Sequence, residues 1–253
     1  MDPDALTDDR ILGGRVVLRQ PAHGYRVAID PVLLAAAVPA GEGDHVLDAG
    51  AGTGAAALCL AKRVPACRVD GLEIQPSLQE TAVANVAHNN LTERVEMILG
   101  DLARPPSRLI GSFDHVMTNP PYHAAQAACP SPQPERAQAH LEGNLPLARW
   151  LQCCLRLLKP RGTLTLIHRA DRLSEALAAL RDAVGGLVIF PFWPGHGVRP
   201  AKRVILQGRK GVRASEALMP GLVLHEPGGG FTIGAEAVLR HAEPLVLGVR
   251  SSK

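Results

Sequence analysis

Asn119-Pro120-Pro121-Tyr122 follows an apolar stretch, Phe113 to Met117, that reads as a buried strand. Proline fixes φ near about −65°, has no N–H and pushes its predecessor toward extended backbone. The Asn119 amide and the Pro120 carbonyl therefore have little freedom at the end of that strand. An exocyclic amine on a nucleobase, or a carboxamide, is a poor nucleophile because its lone pair is delocalised into the π-system. Two fixed acceptors taking its two N–H protons would favour a more tetrahedral, more nucleophilic nitrogen. Tyr122 then offers a face on which a base can stack, worth about 1–3 kcal/mol. A proline turn that merely ends an edge strand reads the same way, so the surrounding elements have to decide.

Those elements lie upstream. His45-Val46-Leu47-Asp48-Ala49 is a short apolar strand running into Gly50-Ala51-Gly52-Thr53-Gly54, and Ala55 to Arg63 has helical composition. Glycines there permit a tight turn and let backbone N–H groups approach a ligand at a helix N-terminus. The spacing is not that of the Gly-x-Gly-x-x-Gly dinucleotide fingerprint, and alone it fits a generic strand-helix turn equally well. Nineteen residues beyond Gly54, a second strand, Arg68 to Glu73, ends in a carboxylate suited to the two hydroxyls of a ribose. A third, Val95 to Leu99, leads into Asp101, which can accept a hydrogen bond from an adenine amino group. Three strand-end acids, Asp48, Glu73 and Asp101, followed by a fourth strand carrying Asn-Pro-Pro-Tyr, form a composite that no single motif supplies.

Strand and helix patterns alternate from Val46 onward, which predicts a mostly parallel sheet. Helices are expected at Ala55–Arg63, Pro76–His88, Leu145–Leu158 and Asp171–Val184. Further strands are expected at Thr163–His168 and at Leu187–Trp193 with Arg203–Gln207, the last two as an antiparallel edge pair around Pro194-Gly195-His196-Gly197. Near the N-terminus, Gly14 to Leu18 and Gly24 to Ala28 read as a hairpin. Ile29-Asp30-Pro31 opens a helix with Asp30 as its cap. The expected organisation is an N-terminal cap of hairpin and helix, residues 1–40, on one larger domain, residues 41–253.

With 253 residues, 46% hydrophobic and 20% charged, the composition is that of an ordinary globule with ample chain for a core. The formal net charge of +3 is a mild bias toward anionic partners. Cys59, Cys67, Cys129, Cys153 and Cys154 lack metal spacing and read as buried thiols, so no metal is expected. No apolar run approaches ~18 residues, and Met1 to Arg10 is acidic, so no membrane partner is expected and the expected location is cytoplasmic. The proline-rich stretch Pro121 to His140, with Arg136, reads as a lid over the substrate or as a structural linker. Ala183 to Ser215 carries Arg199, Lys202, Arg203, Arg209, Lys210 and Arg213 with no acid, a plausible phosphate-binding surface or a solvated basic face.

From Val46 to about residue 210 the chain resembles class I S-adenosylmethionine-dependent methyltransferases, in which Asn-Pro-Pro-Tyr marks methylation of amino groups. The resemblance implies a Rossmann-like α/β fold: a seven-stranded, mostly parallel sheet with an antiparallel edge strand, helices on both faces and a small N-terminal hairpin-plus-helix extension. Gln20-Pro21-x-x-Gly24-Tyr25-Arg26-x-x-x-Asp30-x-x-Leu33-Leu34, with Pro200 to Val204 and Leu222 to Pro227, is similar to the small-domain group of bacterial tRNA(Val) adenine N6-methyltransferases. That likeness implies S-adenosyl-L-methionine as donor, S-adenosyl-L-homocysteine as product, and an RNA substrate, tRNA above all. It implies that Arg26, Asp30, Asp48, Gly50, Gly52, Gly54, Glu73, Ile74, Asp101, Leu102 and Asn119 hold the donor. Asn119, Pro120, Pro121 and Tyr122 would form the catalytic corner, with His123, Arg136, Arg199, Lys202 and Arg203 on the substrate side. His123 departs from the pattern and resembles guanine N2-methyltransferases of ribosomal RNA. Release-factor glutamine N5-methyltransferases share Asn-Pro-Pro-Tyr but place a helical domain before the donor motif. A non-catalytic RNA-binding protein retaining the fold is the reading from outside enzymes.

Overall fold

The computed structural model describes residues 6–21, 28–121, 145–197 and 199–247. Seven strands form the body of one sheet: β3 (His45–Ala49), β4 (Arg68–Glu73), β5 (Val95–Leu99), β6 (Phe113–Thr118), β7 (Leu158–Arg169), β8 (Val184–Trp193) and β9 (Arg203–Lys210). Their order is β8-β9-β7-β6-β3-β4-β5. Two further strands of two residues each, β10 (Ala217–Leu218) and β11 (Leu222–Val223), run parallel to β8 on its outer edge. All pairs from β7 to β5 are parallel, whereas β9 is antiparallel to both β7 and β8. The expected antiparallel pair is present, with the antiparallel strand inserted between β7 and β8 instead of outermost.

The strands alternate as period-two elements buried on both faces must. Val46, Val69, Met97, Met117 and Ile167 face a layer containing α1 (Asp30–Ala37), α2 (Ala55–Arg63) and α3 (Pro76–His88). Leu47, Leu72, Ile98, Val116 and Leu166 face α4 (Leu147–Leu157) and α5 (Leu173–Leu180). A last helix, α6 (Ile233–His241), joins the first layer, its N-terminus capped by Thr232 Oγ1 accepting from the Ala235 N–H. Polar ends of α2 are used locally: the Arg63 guanidinium donates to the Ala35 and Val38 carbonyls, satisfying groups that α1 leaves open at its C-terminus.

The N-terminal hairpin differs from the expected one. β1 (Leu6–Ile11) pairs antiparallel with β2 (Val16–Pro21), and the chain reverses through Leu12-Gly13-Gly14 with Gly13 at φ 64° and Gly14 at φ 85°. Val16 to Leu18 is a strand as expected, but its partner precedes it, while Gly24 to Val27 lie outside the described residues. The acidic start of the chain pairs across the hairpin: Arg19 Nε donates to Asp8 at 3.0 Å and Gln20 Nε2 to Asp9 at 2.6 Å. The other edge of β2 is taken by two asparagines four residues apart, Asn85 on α3 and Asn89 just past its end. Asn85 bonds both backbone groups of Arg19, and Asn89 both those of Val17, at 2.7 to 3.0 Å. Asn85 also donates to the Thr53 carbonyl, so the hairpin is tied to the glycine turn after β3.

Candidate active site

The parallel strands point their carboxyl ends at one rim, the location where open α/β sheets bind ligands. There β3 turns sharply, with Gly50, Gly52 and Gly54 at φ 77°, 56° and 85°. A Cβ on Gly50 would lie 2.8 Å from the Trp150 ring, whereas a Cβ on Gly52 would meet nothing within 4 Å. The turn is thus packed on one side and open on the other. Gly50 and Ala51 donate to the Leu72 carbonyl, which fixes the turn to the end of β4.

The three acids are held by backbone amides. Asp48, 2% exposed, accepts from the Ala57 N–H in the first turn of α2 at 3.2 Å. Burial pushes its carboxyl up to about 7; the Ala57 hydrogen bond opposes this and the nearby Glu73 charge adds to it. Glu73 accepts from the N–H groups of Gly52, Ile74 and Gln75 at 2.8 to 3.0 Å. Asp101 accepts from the Ala103 N–H at 2.8 Å. None of the three forms an ion pair among the described residues. Ile74 stands 38% exposed beside Glu73, an apolar surface for a flat ring, while the Leu102 side chain is buried against the Leu72 and Ile98 cluster.

Asn119 and Pro120 follow β6 directly. Thr118, fully buried, donates its hydroxyl to the Ala49 carbonyl at 2.8 Å, joining the residue before Asn119 to the residue before Gly50. Trp150 Nε1 donates to the same hydroxyl at 2.9 Å. The structure therefore brings Asp48, the glycine turn, Glu73 and Asn119 to one rim, as the sequence predicts. Asp30 does not cap α1, whose cap position is Ile29; its carboxylate instead accepts from Arg203 Nε at 2.7 Å, a pairing that joins two residues expected at separate sites. Arg26, Tyr122, His123 and Arg136 lie outside the described residues, as does most of the lid expected from Pro121 to His140.

The basic segment is divided by strand direction. Because β9 runs antiparallel, Arg199, Lys202 and Arg203 sit at the carboxyl-end rim, and Arg209, Lys210 and Arg213 lie at the far end of the sheet, about 20 Å away for a strand of this length. Arg199 and Lys202 are exposed. Arg209 Nε donates to the Arg161 carbonyl and Lys210 to the Leu158 carbonyl. A cavity of about 680 Å³ lies at this far end, between Asp114, Lys159, Arg161 and Arg209, away from the acids and Asn119. Cys59, Cys67, Cys153 and Cys154 are free and buried, and burial pushes the Cys59 thiol up to about 12. No cluster of three or more His, Cys, Asp or Glu is placed to hold a metal among the described residues. Nor is any described helix long and apolar enough to cross a membrane.

Sequence reasoning missed Trp150, Thr118 and Asn85. Each reads as an ordinary element residue, and each acquires its role from a partner far along the chain.

The family described as methyltransferase small domain matches residues 26–143. A Porphyromonas gingivalis protein named tRNA1(Val) (adenine(37)-N6)-methyltransferase is 39% identical over 168 residues, 64% of this chain and 65% of its own. An Aeromonas hydrophila protein of the same name is 30% identical over 208 residues, 82% of this chain and 85% of its own. The match thus spans a little under two thirds of the Porphyromonas relative and most of the Aeromonas one. Among solved structures, that of a predicted O-methyltransferase from Agrobacterium tumefaciens superposes with a TM-score of 0.71 at 24% identity, over 86% of this chain and 98% of that one. That likeness shows the class I methyltransferase fold.

Proposed function

The chain belongs to the tRNA1(Val) (adenine(37)-N6)-methyltransferase family, and on that premise we propose that it transfers a methyl group from S-adenosylmethionine to the N6 amine of an adenine in the anticodon loop of tRNA(Val). The observation that carries this reading is the Thr118–Ala49 hydrogen bond, which sets the Asn119-Pro120 corner against the glycine turn. The rim fits the donor: an open face at Gly52, a carboxylate at Glu73 for the ribose, Asp101 for the adenine, apolar Ile74 at the edge, and Asp48 toward the methionine end. The donor's sulfonium supplies the reactivity, and the protein supplies alignment and polarisation of the amine. Asn119 Oδ1 and the Pro120 carbonyl accept hydrogen bonds from the two amine N–H groups, one proton leaves to solvent as the N–CH3 bond forms and the S–CH3 bond breaks, and the base is extruded from its stack to reach them. In this reading Arg26 is assigned to the donor and Tyr122 to stacking on the base, with His123, Arg136, Arg199, Lys202 and Arg203 assigned to the substrate. Residues 1–40 act as a cap that steadies the glycine turn through Asn85 and Thr53. A tRNA substrate places the reaction in the cytoplasm.

The test is incubation with labelled donor and separated tRNA, rRNA and release factor, followed by nucleoside mass spectrometry. N6-methyladenosine in tRNA(Val) is the expected product. Label in guanine of rRNA or in a glutamine of release factor would overturn the acceptor assignment. Asn119→Ala is expected to abolish transfer while leaving donor affinity nearly intact; loss of both would remove Asn119 from the amine-binding role.

A further inference from the structure

We propose that Trp150 is a positioning residue that locks the donor turn and the amine corner into one rigid unit. Its Nε1–H donates to Thr118 Oγ1 at 2.9 Å, and that hydroxyl spends its single proton on the Ala49 carbonyl at 2.8 Å. The same indole ring closes on Gly50, so closely that even a Cβ there would come within 2.8 Å of it. One side chain from α4 thereby touches the first residue of the donor turn and the residue preceding Asn119, on strands adjacent in the sheet.

The chemistry explains why this matters. In-line transfer needs the sulfonium methyl and the target nitrogen at contact distance and aligned, and misplacement by about 1 Å can cost about a hundredfold. Asn119 follows β6 and the glycine turn follows β3. The parallel ladder holds the two strands only as far as Ala49 and Thr118, the last pair in register. At that last pair the Ala49–Thr118–Trp150 relay adds a side-chain connection where the ladder stops. Thr118 suits the relay because a hydroxyl both donates and accepts. Tryptophan suits it because a large apolar ring and one donor arrive on a single side chain.

The donor half of this proposal does not depend on the RNA reading; the coupling to Asn119 does. The chain has two tryptophans, so in a Trp193→Phe background Trp150 is the sole indole emitter. Titration of that variant with S-adenosylhomocysteine is expected to give a saturable change in Trp150 emission with the same midpoint as calorimetry; calorimetric binding with unchanged emission would overturn the proposal. In transfer assays Trp150→Phe, which keeps a ring over Gly50 and loses the N–H, is expected to lower kcat about tenfold with both KM values within about twofold. Thr118→Val is expected to do the same, Thr118→Ser to restore activity, and the Trp150→Phe/Thr118→Val double variant to be no worse than either single. Unchanged kcat in Trp150→Phe, or a loss recovered by assaying at lower temperature, would assign Trp150 to packing alone. Wild-type protein that bound donor but methylated no acceptor would overturn the functional reading, and the emission titration would still judge the donor contact.

Discussion

At the amino ends of the parallel strands, charge meets charge. Asp114 takes the Lys159 ammonium on both oxygens at 2.8 Å, His115 lies 3.1 Å from Asp44, and Arg68 and Arg108 both reach Glu96. Lys159 and the neighbouring His45 N–H and His115 together hold the Asp114 carboxyl below the usual carboxylate range, despite the opposing effect of burial. At the carboxyl ends, the acids Asp48, Glu73 and Asp101 meet backbone N–H groups instead. The residue types are alike at both ends; the partners differ. An ion pair cancels a carboxylate's charge, and a pair on the surface contributes about 0–1 kcal/mol. A carboxylate held by amides has no countercharge beside it and keeps some of its four or so lone-pair positions for something else. The amino end is built to be finished, and the carboxyl end to receive a polar ligand.

Two glycines test that contrast with the largest expected effect. Gly43, before β3, and Gly52, after it, both have positive φ, 79° and 56°, and at both a Cβ would meet nothing within 4 Å. Alanine at either position costs the left-handed penalty of about 1–2 kcal/mol in stability. Only Gly52→Ala puts a methyl group into the proposed donor space. Calorimetry with S-adenosylhomocysteine should show roughly a hundredfold weaker binding, about 2.8 kcal/mol, for Gly52→Ala and none for Gly43→Ala. Equal losses would mean that the open face at Gly52 is not where the donor lies.

Asp48 provides the next effect, with a definite sign. Burial raises its carboxyl to about 7, so the folded protein holds a proton that the unfolded chain releases near pH 4. Between those values the native state binds more protons, and stability declines as pH rises from about 4 to 7. If Asp48 meets the donor's ammonium, as proposed, it must do so in the ionised form. Donor affinity is therefore expected to weaken as pH falls below 7, by up to about tenfold per unit. Asp48→Asn should remove both slopes together, read by calorimetry and by chemical denaturation from pH 5.5 to 8. If only the stability slope vanished, Asp48 would be a buried structural acid without a ligand.

Much of the rim was legible because its signals are local. The glycine turn, the three strand-end acids and helices such as Ala55–Arg63 and Pro76–His88 each declare themselves within a dozen residues, and these helices have the expected bounds. What the sequence hid depends on pairing across long separations. The true partner of Val16 to Leu18 is an acidic strand whose charge is matched only across the hairpin. Asp30 satisfies a capping pattern, yet its carboxylate meets an arginine 173 residues away. Trp150 stands among Leu147, Leu151 and Cys154 as one more apolar residue of an amphipathic helix, and its donor finds Thr118 across 32 residues.

The basic run from Arg199 to Arg213 is divided for a simpler reason, and that division yields the smallest of the expected effects. Composition counts charges without regard to strand direction, and a strand that reverses carries its two ends to opposite sides of the molecule. Arg199 and Lys202 stand exposed at the rim that holds Asn119, while Arg209 is engaged with the Arg161 carbonyl at the finished end. If RNA lies along the carboxyl-end rim, each cation that neutralises a phosphate contributes about 0.7 to 0.9 to the slope of log K against log salt. Arg199→Ala/Lys202→Ala should then reduce that slope by about 1.4 to 1.8, measured by fluorescence anisotropy with tRNA(Val) at several salt concentrations. Arg209→Ala/Arg213→Ala removes the same formal charge and should leave the slope unchanged. Equal reductions would mean that the RNA path wraps onto the amino end or that binding senses net charge alone, and the functional division between the two ends would hold for the donor but not for the substrate.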